Sequence, residues 1–117
     1  MNPDGLTKIS THVLDLATGT PAPDVQVRLL DAAGTTLDGA STNADGRIEA
    51  WAAVDDVAPG TYRLIFDIAA YQSCPDSADQ DIFFPQIEIV FSLDGTRPRV
   101  HIPVLLSPYG YTTYRGS

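Results

Sequence analysis

The sequence predicts an all-β chain: a two-sheet antiparallel β-sandwich of seven to eight strands, with one short helix after the strand at 61–68. Three observations carry this. Apolar residues alternate with a period of two along several stretches, while helical periodicity is scarce. Clusters of Gly, Pro, Asn and Asp separate those stretches. No stretch repeats another, and short strands punctuated by turns bury their apolar faces best as two packed sheets.

The elements follow in order. "KISTHVLD" puts Ile9, Thr11 and Val13 on one face and Ser10, His12 and Leu14 on the other. "TGTPAPD" is a turn cluster. "VQVRLLD" alternates again, with Val25, Val27 and Leu29 inward and Gln26 and Arg28 outward, and "DAAGTTLDG" breaks the pattern. "TNADGRIEA" carries a turn signal at Asp45-Gly46, with Arg47 just after it. In "GTYRLIFDI", Tyr62, Leu64, Phe66 and Ile68 share a face. "AAYQSCPDSADQ" starts with helix formers and meets Pro75, so it reads as a helical turn or a long loop. "FFPQIEIVFSLDG" aligns Ile87, Ile89, Phe91 and Leu93. "RPRVHIPVLLS" sets Val100, Ile102, Val104 and Leu106 against Arg99, His101 and Leu105. Pro103 removes a ladder donor, which predicts an edge strand or a bulge there. "SPYG" turns the chain, and "YTTYRGS" reads as a final strand.

Length and composition predict one domain over residues 1–117, with 44% hydrophobic residues to build its core. A chain this short buries a modest fraction of its surface, and a partner subunit would add to it. Lys and Arg number 7 against 15 Asp and Glu, a net charge of −8. Nucleic-acid binding runs on clustered cations that neutralise phosphate, so it is rejected, as is an anionic membrane surface. One cysteine, Cys74, allows no intrachain disulfide and reads as an ordinary thiol. The first ten residues hold no apolar signal-peptide core and no stretch reaches transmembrane length, so a cytoplasmic setting is expected.

Few residues could carry chemistry. The two histidines, His12 and His101, each lie in a strand on the face opposite the main aliphatic row. Taken singly, each reads as readily as a half-buried strand residue with no task, and Arg47 as a solvated turn residue. The spacings of a calcium loop, a phosphate-binding loop and a Gly-x-Ser-x-Gly elbow are absent, and two histidines fall short of a catalytic zinc site. If the histidines converge with Arg47, the chemistry they suit is metal-free hydrolysis. A neutral imidazole can take a proton from water, and a guanidinium can hold developing negative charge on oxygen.

Read together, "THVLD", "GTPAPDVQVRL", "TNADGR", "GTYRLIFD", "FFPQIEI" and "HIPVLLSPYGYTTYRGS" resemble the transthyretin family in order and spacing over nearly the whole chain. The "YRGS" terminus is similar to that of the family's 5-hydroxyisourate-hydrolysing branch. The hormone-carrier branch has a related "LLSPYSYSTT" region and does not end this way. The resemblance implies His12, Arg47 and His101 as catalytic residues and Tyr114, Arg115, Gly116 and Ser117 as substrate-binding residues. It implies a prealbumin-like sandwich assembled as a homotetramer, a dimer of dimers, with sites at the dimer–dimer interface. It also implies an enzyme of urate degradation. Its small-molecule substrate would be 5-hydroxyisourate and its product 2-oxo-4-hydroxy-4-carboxy-5-ureidoimidazoline, formed with histidine-activated water and neither metal nor cofactor. Arg99-Val100-His101 departs from the family's His-Tyr-His, "FFPQ" from its Phe-Tyr-Pro, and the "YQSCPDSADQD" loop is this chain's own. The alternatives are a non-enzymatic small-ligand carrier on the same fold, a fibronectin-like interaction sandwich, and a zinc site gathered across subunits. The carrier would call for other residue types at 12, 47 and 101.

Overall fold

The computed structural model describes residues 4–72 and 83–116. Cys74, Pro75 and Ser117 lie outside the described residues. The strands are β1 (Lys8–Asp15), β2 (Thr20–Pro21), β3 (Gln26–Asp31), β4 (Thr36–Ser41), β5 (Arg47–Ile48), β6 (Gly60–Asp67), β7 (Gln86–Leu93), β8 (Arg99–Ser107) and β9 (Gly110–Thr113). The helix α1 (Ile68–Gln72) follows β6 directly. Two strands, β2 and β5, have only two residues each; the others form the expected sandwich.

One sheet runs β2-β1-β8-β9, with β5 also paired to β1; the other runs β4-β3-β6-β7. Alternation explains which side of each strand is dry. Ile9, Thr11 and Val13 of β1 and Val100, Ile102, Val104 and Leu106 of β8 are buried against Val27, Leu29, Leu64, Phe66 and Ile87 of the other sheet. Thr11 lies among these apolar side chains because its hydroxyl donates to the Ile102 carbonyl at 2.7 Å, so no polar group is stranded. Trp51 closes one end of the core, its indole N–H donating to the Ile9 carbonyl at 2.9 Å. Ile89 and Phe91 are only partly buried, because β7 is an edge strand.

The structure departs from the sequence reading in several places; the final strand read over "YTTYRGS" ends at Thr113, and one ladder, β1 with β8, is parallel. The stretch read as a break, "DAAGTTLDG", contains most of β4, an edge strand whose pairing with β3 shifts register between Leu29 and Leu30. Its Asp38 carboxylate accepts from Ala53 N at 2.6 Å and Val54 N at 2.9 Å, which ties that edge to the loop after β5. Ile68, read as the end of a strand, begins α1 instead and stays fully buried. Pro103 sits in an interior strand, since β8 lies between β1 and β9. The β8–β1 ladder is parallel and the β8–β9 ladder antiparallel. His101 turns its carbonyl toward the C-terminal segment, so Pro103, two residues on, turns its missing N–H the same way. The β9 ladder stops there, at Val104–Thr113, and the Thr113 hydroxyl donates to the Pro103 carbonyl at 2.9 Å.

Candidate active site

His12, His101 and Arg47 come from three strands of one sheet and share its outer face. Parallel register puts Ser10 beside His101 and His12 beside Pro103; antiparallel register puts Arg47 beside His12. Since side chains alternate, the residues two apart in β1 and their partners in β5 and β8 emerge together, away from the core. The two imidazole centroids are 6.5 Å apart with their planes tilted by 38°. All three side chains are half-buried.

A hydrogen-bonded turn fixes Arg47. Asn43 accepts from Gly46 N through its carbonyl at 2.9 Å, and its side-chain oxygen accepts from Asp45 N at 2.9 Å and Arg47 N at 3.0 Å. Gly46 has a φ of 73°, and its carbonyl accepts from Val13 N at 2.7 Å. A Cβ at 46 would run into the Val13 carbonyl oxygen, so the turn needs glycine both for its dihedral and for its closeness to β1. This draws Arg47 onto the edge of β1, opposite His12.

His101 is held from two sides. Ser10 Oγ lies 2.8 Å from Nδ1, and the chain returns past the ring so that Gly116 N donates to the His101 carbonyl at 2.8 Å. Burial holds the His101 pKa below its usual 6.5; the charge of Arg47 and then the neighbouring His12 push it the same way, with Glu49 opposing. The group is therefore a neutral imidazole at neutral pH, able to accept a proton. The pair of histidines and the guanidinium can in principle move a proton to and from a bound molecule while holding negative charge on it.

The described terminal residues, Tyr114, Arg115 and Gly116, are divided. Gly116 contacts His101 directly, and Tyr114 is 55% exposed. Tyr114 and Arg115 line a cavity of about 230 Å³ between the sheets. That cavity takes Val100 and Ile102 from β8, whose side chains face the core, so it lies across the sheet from His101. Among the described residues, no three metal-ligating side chains gather in one place. Sequence reading missed Ser10 and Asn43 as site-shaping residues. The parity of β1 placed Ser10 on the right face, but its partner is 91 residues away.

A model of the HIUase/Transthyretin family matches residues 9–116. The 5-hydroxyisourate hydrolase of Salmonella typhi is 44% identical over 116 residues, which cover 97% of this chain and 83% of that protein. The solved 5-hydroxyisourate hydrolase of Klebsiella pneumoniae superposes with a TM-score of 0.81 at 37% identity, covering 95% of this chain and 99% of that one. The transthyretin of Sparus aurata superposes about as well, with a TM-score of 0.80 at 28% identity over 93% of this chain and 96% of that one. Backbone shape alone therefore does not separate the hydrolase from the transthyretin.

Proposed function

The chain belongs to the HIUase/Transthyretin family, and from that premise we propose that it hydrolyses 5-hydroxyisourate in urate degradation. The observation that carries the reading is the meeting of His12, His101 and Arg47 on one sheet face, with a neutral His101 beside a cation. A carrier has no use for that pairing.

The product is 2-oxo-4-hydroxy-4-carboxy-5-ureidoimidazoline, formed when water opens the six-membered ring at an amide-type C–N bond. The two histidines position the water and take its proton as it attacks the carbonyl carbon; one of them returns a proton to the leaving nitrogen. Arg47 binds the carbonyl oxygen and stabilises the negative charge that develops on it. General acid–base help is worth about 10²–10⁴-fold, and each oxyanion donor about 10²–10³-fold. Tyr114, Arg115, Gly116 and Ser117 form the substrate-binding end of the chain. Gly116 supports this through its bond to His101, whereas Tyr114 and Arg115 would have to reach around from the cavity side.

The site face is the outside of the sandwich in a single chain. A homotetramer built as a dimer of dimers would enclose it, shutting bulk water out and adding burial to a small domain. Two histidines are one short of the three protein ligands a catalytic zinc usually has, which fits a reaction without metal. The deciding experiment generates 5-hydroxyisourate in place from urate with urate oxidase and follows its ultraviolet absorbance. The expected result is decay faster than the spontaneous rate; decay at the spontaneous rate would sink the reading and favour a carrier.

A further inference from the structure

Resting on that reading of the site, we propose that Ser10 is a positioning residue: together with Gly116 it clamps the His101 ring, so that Nε2 is the ring nitrogen left to serve the reaction.

The clamp has two jaws from opposite ends of the chain. On one side, Ser10 is the parallel-register partner of His101, and its hydroxyl lies 2.8 Å from Nδ1. On the other side, Gly116 bridges to His101 through its N–H. A Cβ on Gly116 would stand 2.8 Å from His101 Cδ2 and 3.3 Å from its Cβ. Residue 116 has no positive φ, so the demand for glycine there comes from the imidazole. With Nδ1 held and Cδ2 flanked by backbone, the Nε2–Cε1 edge is the part of the ring that faces outward.

A free imidazole has two interchangeable nitrogens and a soft rotation about its ring bond. Turning the ring over would exchange Nδ1 for Cδ2, lose the Ser10 hydrogen bond and press Nδ1 against Gly116. The Ser10 contact thus fixes the rotamer; a hydroxyl can accept as well as donate, and Nε2 can take a proton only in the tautomer whose Nδ1–H donates to Ser10 Oγ, which is the tautomer the reaction requires. His12 has no such bond to Ser10, so the clamp makes the two histidines unequal.

The test combines nitrogen-15 NMR of the histidine rings across pH with kcat and KM for 5-hydroxyisourate. The proteins are the wild type, Ser10→Ala, Ser10→Thr and Gly116→Ala. In the wild type, neutral His101 should occupy one tautomer. Ser10→Ala should mix the His101 tautomers, leave those of His12 unchanged, and lower kcat about tenfold with KM within about twofold. Ser10→Thr, which keeps the hydroxyl, should restore both; Gly116→Ala should shift the His101 resonances and lower kcat. Unchanged tautomers and kcat in Ser10→Ala, or a Ser10→Thr as impaired as Ser10→Ala, would overturn the clamp while the hydrolase reading stands. A wild type inert toward 5-hydroxyisourate with His101 still locked would overturn the hydrolase reading and leave the clamp intact.

Discussion

His101 is the residue whose surroundings say most about its task. Its burial, Arg47 and His12 all disfavour the imidazolium form. The unfolded chain binds that proton near the ordinary 6.5 and the folded chain only at lower pH, so the unfolded state holds more protons as pH falls below 6.5. Stability should therefore decline through that window, measurable as a falling urea midpoint. If neutral His101 serves the reaction, kcat/KM should be level near neutrality and fall on acidification with an apparent pKa below 6.5. Arg47→Ala removes the second cause of the shift, so the His101 pKa should rise in an NMR titration while turnover falls about 10²–10³-fold. His12→Ala and His101→Ala should each lower kcat about 10²–10⁴-fold, with unchanged circular dichroism. Near-wild-type turnover in all three variants would refute the assignment.

At the scale of elements, the Asn43–Arg47 turn and the C-terminal segment bring the candidate site together. Gly46→Ala forces a Cβ against the Val13 carbonyl at a left-handed dihedral, which should cost about 1–3 kcal/mol in urea unfolding and displace Arg47. The Asp45-Gly46 signal made the turn legible in advance. Asn43 was not, because its side chain acts on the backbone only once the turn exists. The C-terminal segment runs on from β9 past Pro103 and reconnects to β8 only at Gly116. Deleting residues 114–117, or fusing a bulky protein after Ser117, should cut activity far more than a comparable change at the N-terminus. A fully active C-terminal fusion would remove that segment from the site.

Over the whole molecule, the core sets stability, and the proposed assembly would set the environment of the candidate site. Leu64 and Phe66 are fully buried between the sheets, so Phe66→Ala should cost about 3–5 kcal/mol in chemical unfolding and leave the His101 titration near its wild-type position. The proposed tetramer predicts light-scattering mass for four chains at working concentration. A stable monomer with full activity would show that the open sheet face suffices.

Alternation along each strand is a local property, so the sequence by itself determined the sandwich, the inward rows of β1, β3, β6 and β8, and the shared facing of His12 and His101. Resemblance in its motifs added the family and the identity of the candidate residues. Which strands become neighbours is a non-local choice, decided by where apolar faces can be buried together. Only the tertiary structure therefore decided that β1 and β8 pair in parallel, that "DAAGTTLDG" supplies an edge strand, and that Pro103 interrupts a ladder inside the sheet. For the same reason the contact of Ser10 with His101, made across 91 residues of chain, exists only in the folded protein.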